Sequence, residues 1–297
     1  MQSTQSVFRY PGGKSKRSVR QKIFDRFPVM YSEFRDPMVG GGGIFFGAPV
    51  YIKRWINDID CDLISVYKSL RDRFNEFIKQ CREIKPAKNG EPLASARDGG
   101  KLLYSARLKG KFDFFADGGG DRALRYLFIN RTVWAGRVNY DIPSRMYFSN
   151  PLGWNIVFSN RMENAADFLQ GVKITCGDYR DSLFAEGEDV LIYLDPPYFV
   201  NTKLAANSRL YKHNFEKKDH DELCDLVKQC KHKVVMSYDN HLYIRKLYRS
   251  SQFDLGRGLG VTHSRGVKWT YTGTSSVVSD GQSSTKKVGR ELIITNF

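Results

Sequence analysis

Apolar side chains follow two rhythms along this chain. Runs of strand length occur at 51–56, 172–175, 189–194, 234–237 and 292–294, and 32–35 reads as a short strand before the glycines. The run 189–194 lacks polar alternation after its first residue, which predicts a parallel strand buried on both faces. Helical spacing appears at Val19, Ile23, Phe24 and Phe27. It returns across 60–83 through Leu63, Ile64, Tyr67, Leu70, Phe74, Phe77 and Ile78. Further helices are expected at 101–108, 122–129, 217–230 and 241–248. Strands interleaved with helices predict an α/β fold.

The spacing of these elements is uneven. A simple βαβ crossover needs far fewer residues than separate Asp58 from the strand at 172–175. Residues 61–165 are therefore expected to form a helical insertion, rich in Arg, Lys and aromatics, with 1–60 and 166–297 making the sheet domain. Loops are expected at 86–100, 110–121 and 199–214, and a mobile polar stretch at 275–290. Gly40-Gly41-Gly42-Gly43, followed by the apolar stretch 44–50, reads as strand, glycine loop and helix. Such a loop lets a ligand approach the backbone and frees amides at a helix N-terminus.

Charge narrows the class of partner. The net charge is +15 at pH 7 and the pI about 9.5, which points to a polyanion, nucleic acid before membrane. No apolar stretch approaches the roughly 20 residues needed to span a bilayer, and the first residues lack a signal core, so a cytoplasmic location is expected. The five cysteines are odd in number and scattered, and neither they nor the five His have metal-ligand spacing. Reduced thiols and no metal are the expectation. Gly13-Lys14-Ser15 resembles the end of a phosphate loop, but Phe8 stands where that motif needs glycine, so an NTPase is not indicated.

The candidate chemistry lies at strand ends. Asp195-Pro196-Pro197-Tyr198 follows the run 189–194, where two prolines end the ladder and present an acid and an aromatic at the ligand-binding edge of a sheet. Asp195 and the Pro196 carbonyl suit the two hydrogens of an exocyclic amine, and Tyr198 offers a face on which a base stacks. Asp58, in Asn57-Asp58-Ile59-Asp60, lies about 20 residues beyond the glycine loop, the spacing of a ribose-binding acid. Together these features imply a nucleoside-bearing cofactor. Within 130–140, Asn130, Arg131, Trp134 and Arg137 combine amide, guanidinium and indole groups in the manner of a nucleic-acid contact loop.

Taken in order, the motifs resemble the Dam-like D12 class (alpha group) of adenine-N6 DNA methyltransferases. The stretches that carry the likeness are Arg9-Tyr10-Pro11-Gly12-Gly13-Lys14, the run from Asp36 to Gly43, Asn57-Asp58-Ile59-Asp60, Asn130-Arg131 and Asp195-Pro196-Pro197-Tyr198. The resemblance implies a Rossmann-like sheet with an inserted helical target-recognition domain. It also implies S-adenosylmethionine as cofactor and methylation at N6 of an adenine flipped out of double-stranded DNA. Tyr10, Lys14, Asp36, Gly40, Gly42, Asp58, Asp178, Tyr179 and Asp195 then fall at cofactor positions, and Asp195 to Tyr198 at catalytic ones. Arg9, Asn130, Arg131, Trp134, Arg137 and Arg145 become the DNA contacts, with Trp134 entering the duplex. The family context adds a monomer and a companion restriction enzyme as partner expectations. Alternatives are methylation of cytosine N4 or of an RNA base, and a silent DNA-binding member of the fold. After Gly136 the chain departs from GATC-recognising members, carrying Asn139-Tyr140-Asp141-Ile142-Pro143-Ser144-Arg145 in place of a longer run. Ala135 stands where Asn commonly follows the aromatic. A short adenine-containing site that need not be GATC, or a relaxed one, is expected.

Overall fold

The computed structural model describes residues 4–10, 14, 17–86, 97–98, 101–102, 106–140, 146–199, 215–249, 267–270 and 288–297. Its strands are β1 (Glu33–Asp36), β2 (Lys53–Asp58), β3 (Arg97–Asp98), β4 (Lys101–Leu102), β5 (Lys173–Cys176), β6 (Val190–Leu194), β7 (Lys233–Asp239), β8 (Val267–Thr270) and β9 (Val288–Thr295). The helices are α1 (Arg17–Phe24), α2 (Cys61–Asp72), α3 (Phe74–Glu83), α4 (Ala106–Ala116), α5 (Arg122–Thr132), α6 (Arg161–Phe168), α7 (Tyr179–Phe184), α8 (Lys217–Gln229) and α9 (Leu242–Leu247). Seven strands form one sheet in the order β5-β2-β1-β6-β7-β9-β8, while β3 and β4 pair separately. From β5 through β7 all pairings are parallel, and β9 runs antiparallel to both of its neighbours. The α/β expectation holds.

Period two sorts the sheet residues between two cores. Leu191, Tyr193 and Val235 face one side, with α1, α2 and the helices of the insertion. Ile192, Leu194, Val234 and Met236 face the other, with α7, α8 and α9. The first core runs without a break from Phe34 and Ile56 through Leu63 and Tyr67 to Phe115, Phe128 and Trp154. Helix α2 makes that continuity, packing on β2 and β5 as well as on α5.

Several local expectations are corrected. The helix expected over 60–83 is two, broken at Arg73, whose φ is −140° and ψ 40°. The break lets α3 turn Phe77, Ile78 and Cys81 inward. No helix follows the glycine loop at once. Residues Phe45–Gly47 form a single 3-10 turn, closed where a Cβ on Gly47 would meet the Phe24 ring at 2.7 Å. The loop expected from 110 is helical as far as Ala116. Gly110 faces open space, and burial of Phe112 and Phe115 offsets the roughly 1 kcal/mol that a helical glycine costs. The stretches at 199–214 and 275–290 lie mostly outside the described residues.

The cysteine expectation is also corrected. Cys61 and Cys176 form a disulfide with a Cα–Cα distance of 5.4 Å, while Cys81, Cys224 and Cys230 are free and buried. The sheet register explains the pairing, because Asp58 lies opposite Cys176 and Cys61 follows Asp58 by three residues. Sequence spacing gave no sign of it, since 115 residues separate the two.

Candidate active site

Three carboxylates meet because three parallel strands end side by side. Asp36 ends β1, Asp58 ends β2 and Asp195 follows the last residue of β6, and these strands are adjacent in the order β2-β1-β6. Strand order reverses about β1, with β2 and β5 added on one side and β6 and β7 on the other, the switch point at which open α/β sheets bind ligands. Above these ends lies a cavity of about 470 Å³, a size suited to a small-molecule cofactor. Six aspartates line it, Asp36, Asp58, Asp60, Asp178, Asp195 and Asp219, against Lys14, Arg137 and Arg180. In a chain of net charge +15, this wall is locally acidic.

The acids are held in different ways. Asp58 is buried and accepts amides from Gly40 at 2.9 Å and Asp60 at 2.9 Å. Burial pushes its carboxyl up to about 6 despite those bonds. Asp60 caps α2 through the Asp62 and Leu63 amides. Asp178 caps α7 through the Arg180 amide at 2.8 Å and pairs with the same residue's guanidinium. Asp36 differs, because its Oδ1 is buried without a hydrogen-bond partner among the described residues. Its carboxyl is raised well above the usual range, first by burial and then by Asp195 and Asp58. A buried acceptor left open in this way fits a cationic ligand group.

The glycine loop makes room for aromatic rings. A Cβ on Gly41 would lie 2.6 Å from the Tyr10 Cβ, and one on Gly40 2.8 Å from its ring. Gly42, at φ +68°, leaves space for the Tyr67 hydroxyl, which donates to the Gly40 carbonyl at 2.9 Å. The loop therefore packs Tyr10 and Tyr67 against the cavity wall.

At the β6 end, Lys14 Nζ donates to Asp195 Oδ1 at 2.9 Å and to the Tyr198 hydroxyl at 2.5 Å. Lys14, expected at the cofactor, is thus tied to Asp195. Ser237 Oγ, on β7, also donates to Asp195 Oδ1 at 2.9 Å. Both contacts use the same oxygen, and Oδ2 carries no hydrogen bond to the described residues. Pro196 is buried, whereas Asp195, Pro197 and Tyr198 are half-buried.

The recognition arm rims the same cavity, with Gly136, Arg137 and Val138 on its wall. Trp134 is 37% exposed, and the Arg137 guanidinium lies 4.5 Å above its ring. Its backbone amide donates to Tyr147 O beside the bridge between Val133 and Phe148. Asn130 is fully buried. Its side chain accepts from the Arg9 amide at 2.9 Å and donates to the carbonyls of Arg9 at 2.7 Å and Gly136 at 3.0 Å. Gly136 is obligatory there, since at φ +73° a Cβ would fall 2.0 Å from the Arg9 carbonyl oxygen. The Arg131 side chain donates to Gly153 O at 3.0 Å and Val7 O at 3.3 Å. Burial lowers its guanidinium to about 10. The Arg9 side chain donates to Val133 O at 3.2 Å. Asn130 and Arg131 thus assemble the arm from within, while Trp134 and Arg137 stand at its surface. Arg145 lies outside the described residues.

Residues that the motifs did not single out also belong to the site. Ser237 and Tyr193 sit beside Asp195, and Phe215 lies with its ring centre 6.2 Å from that of Tyr179 on the same wall. The strand-end rule points to Ser237 once β7 is known to neighbour β6. Among the described residues no group of His, Cys, Asp or Glu could hold a metal ion, and no helix is long and apolar enough to cross a membrane.

A parallel sheet whose strand order reverses at β1, with an acidic cavity at its switch point and a basic, aromatic arm on the rim, has the architecture of a ligand-binding α/β enzyme. Residues 10–258 match the model of the D12 class N6 adenine-specific DNA methyltransferases, and the chain belongs to that family. It is 25% identical over 299 residues to "Type II methyltransferase M1.LlaDCHI" of Lactococcus lactis subsp. cremoris, covering 97% of this chain and 94% of that one. It is 26% identical to the "DNA N-6-adenine-methyltransferase" of Escherichia phage P1 over 84% of this chain and 31% of that protein. A "DNA adenine methylase" of Vibrio cholerae is 24% identical over 86% of this chain and 88% of its own. The activity is methylation of adenine N6 in DNA, and it requires a methyl donor.

Proposed function

We propose that the donor is S-adenosylmethionine and that the target is an adenine flipped out of double-stranded DNA. The observation that carries this reading is the acidic cavity containing the unpartnered Asp36 oxygen. A ligand with an ammonium and a sulfonium suits that wall, whereas a dinucleotide or nucleoside triphosphate would bring phosphates to it. Asp36 would take the ammonium, Asp58 and Asp60 the ribose hydroxyls, and Asp178 and Tyr179, with Phe215 beside them, the purine. The bound cofactor supplies an electrophilic methyl group.

The chain's own groups do the rest. An adenine amino group inside a duplex is out of reach, so the base must leave the stack. Asp195 Oδ2 and the Pro196 carbonyl would accept its two N–H groups, concentrating electron density on N6, while Tyr198 supports the ring. Preorganised acceptors and alignment then carry the rate. Trp134 and Arg137, on the rim, are placed to fill the gap and contact neighbouring bases. Arg9 is placed to back the arm, and Arg145 remains a candidate reader of a base edge. A monomer in the cytoplasm, with or without a companion restriction enzyme, suits this reading.

The test is transfer from radiolabelled S-adenosylmethionine to duplex DNA, followed by nucleoside analysis. Label in N6-methyladenine from duplex, and little from single-stranded RNA, is expected. Label in N4-methylcytosine, or none with any nucleic acid, would overturn the reading.

A further inference from the structure

Asp195 leaves one oxygen towards the site, and the structure shows what holds the other. Strand β7 lies parallel to β6 with Leu194 opposite Met236, so the next residues, Asp195 and Ser237, come level. Ser237 is fully buried, and its hydroxyl lies 2.9 Å from Asp195 Oδ1 and 2.7 Å from the Tyr193 hydroxyl. An ionised carboxylate only accepts hydrogen bonds, and a serine hydroxyl has one proton to give. Ser237 therefore donates to Asp195, and Tyr193 donates to Ser237. The hydrogen bonds run in one direction, from Tyr193 through Ser237 to Asp195.

We infer that Ser237, oriented by Tyr193, is a positioning residue that fixes the Asp195 carboxylate so that Oδ2 is presented to the adenine amino group. This rests on the reading of Asp195 as the acceptor of that amine. The terminal torsion of an aspartate is broad and gives little orientation by itself. Ser237 and Lys14 meet Oδ1 from two elements, β7 and the N-terminal segment. A half-turn of the carboxylate leaves its oxygens equivalent, but intermediate rotations break both bonds. The plane of the group is thus set before substrate arrives. Alignment of the amine with the methyl group tolerates little error, so a loosened carboxylate slows transfer without weakening the binding of either substrate.

The experiment measures single-turnover methylation of a preformed complex with S-adenosylmethionine and duplex DNA, using wild type, Ser237→Ala, Tyr193→Phe, the double variant and Asp195→Asn. Ser237→Ala is expected to slow transfer roughly 10-fold and Tyr193→Phe about 3-fold, from the usual weight of one hydrogen bond. Dissociation constants for both substrates should stay within about twofold in Ser237→Ala, because that side chain is fully buried and does not line the cavity. The double variant should be no slower than Ser237→Ala, since Tyr193 acts through Ser237. Wild-type transfer by Ser237→Ala beside an inactive Asp195→Asn would overturn the inference while sparing the role of Asp195. So would multiplying effects in the double variant. Full activity in Asp195→Asn would remove the reading of Asp195 and the inference with it. Should Ser237→Ala fail to fold, Tyr193→Phe removes only one hydroxyl and decides alone: unchanged transfer counts against the chain of hydrogen bonds.

Discussion

The strand-end cluster and the recognition arm face each other across one cavity, yet they hold charge in opposite ways. At the strand ends Asp36, Asp58 and Asp195 are fixed by the sheet itself, and nearby polar atoms are backbone amides or single side chains. In the arm, Arg9 and Arg131 are fixed by backbone carbonyls, Val133 for the first and Val7 and Gly153 for the second. The sheet gathers like charges at a cost in desolvation and repulsion, which a cationic ligand offsets. Among the described residues, the side-chain hydrogen bonds of Arg9 and Arg131 go to carbonyls rather than carboxylates. The acids thus sit on the rigid half, and the arm is assembled from loops pinned to it by Asn130. That division matches the general placement of variable specificity on loops carried by a fixed scaffold.

The comparison breaks first at Asp195. Replacing it with Ala should lower the single-turnover rate by about 10²–10³ or more, as expected for loss of a preorganised contact, with the fold and most DNA affinity retained. Near-wild-type turnover would move the chemistry away from the strand ends. Cofactor affinity measured in parallel by calorimetry separates loss of binding from loss of catalysis.

Asp58 tests whether the acidic cluster is held at a cost. Its folded carboxyl keeps a proton up to about pH 6, while the unfolded one releases it near 3.8. The folded state therefore gains stability at acid pH, and that gain is lost as pH rises from about 4 to about 6. The loss amounts to roughly 2–3 kcal/mol. Denaturant titrations at pH 4 and pH 7 should show this loss in wild type and a smaller one in Asp58→Asn. Equal pH dependence in the two proteins would show that Asp58 carries no such burden. Asp58→Ala should in addition weaken cofactor binding by about 1–3 kcal/mol.

Asn130 tests the arm from inside. Asn130→Ala leaves the Arg9 amide and the Arg9 and Gly136 carbonyls without their partner, which should cost about 1–3 kcal/mol of stability. If the residue instead reads a base, stability will be unchanged and the methylated sequence will shift. Arg131→Ala belongs with Asn130 in this test, its main effect falling on the unfolding midpoint.

The smallest expected effect is at the rim. Trp134→Ala should weaken DNA binding by about 1–2 kcal/mol, within the range of one lost stacking contact, and leave the unfolding midpoint in place, because the ring is 37% exposed. Methylation of a mixed-sequence library by Arg137→Ala sharpens the picture. A relaxed preference at one position marks a base contact worth about 1–3 kcal/mol, whereas uniform weakening marks a phosphate contact.

The α/β class of the fold and the strand-end placement of Asp195 and Asp58 were legible in the linear pattern. An unbroken apolar run ended by Pro196 and Pro197 admits few backbone outcomes, and Asp58 closes the strand that follows the glycine loop. These are local signals, set by periodicity and by the dihedral limits of glycine and proline, and they survive without knowledge of neighbours. Only the tertiary structure decided what the polar side chains do. Asn130 and Arg131 have the composition of a contact loop, yet α5 carries them inward to carbonyls more than 100 residues away in one direction and about 20 in the other. The glycine loop expected to admit a ligand lines the cavity, and it also makes room for Tyr10 and Tyr67. Ser237 belongs to Asp195, and Cys61 to Cys176, solely because β7 lies beside β6 and β5 beside β2. Hydrogen-bond partners and disulfides are properties of strand order and register. Those are fixed by the packing of the whole sheet, and a linear pattern of apolar and polar residues does not encode them.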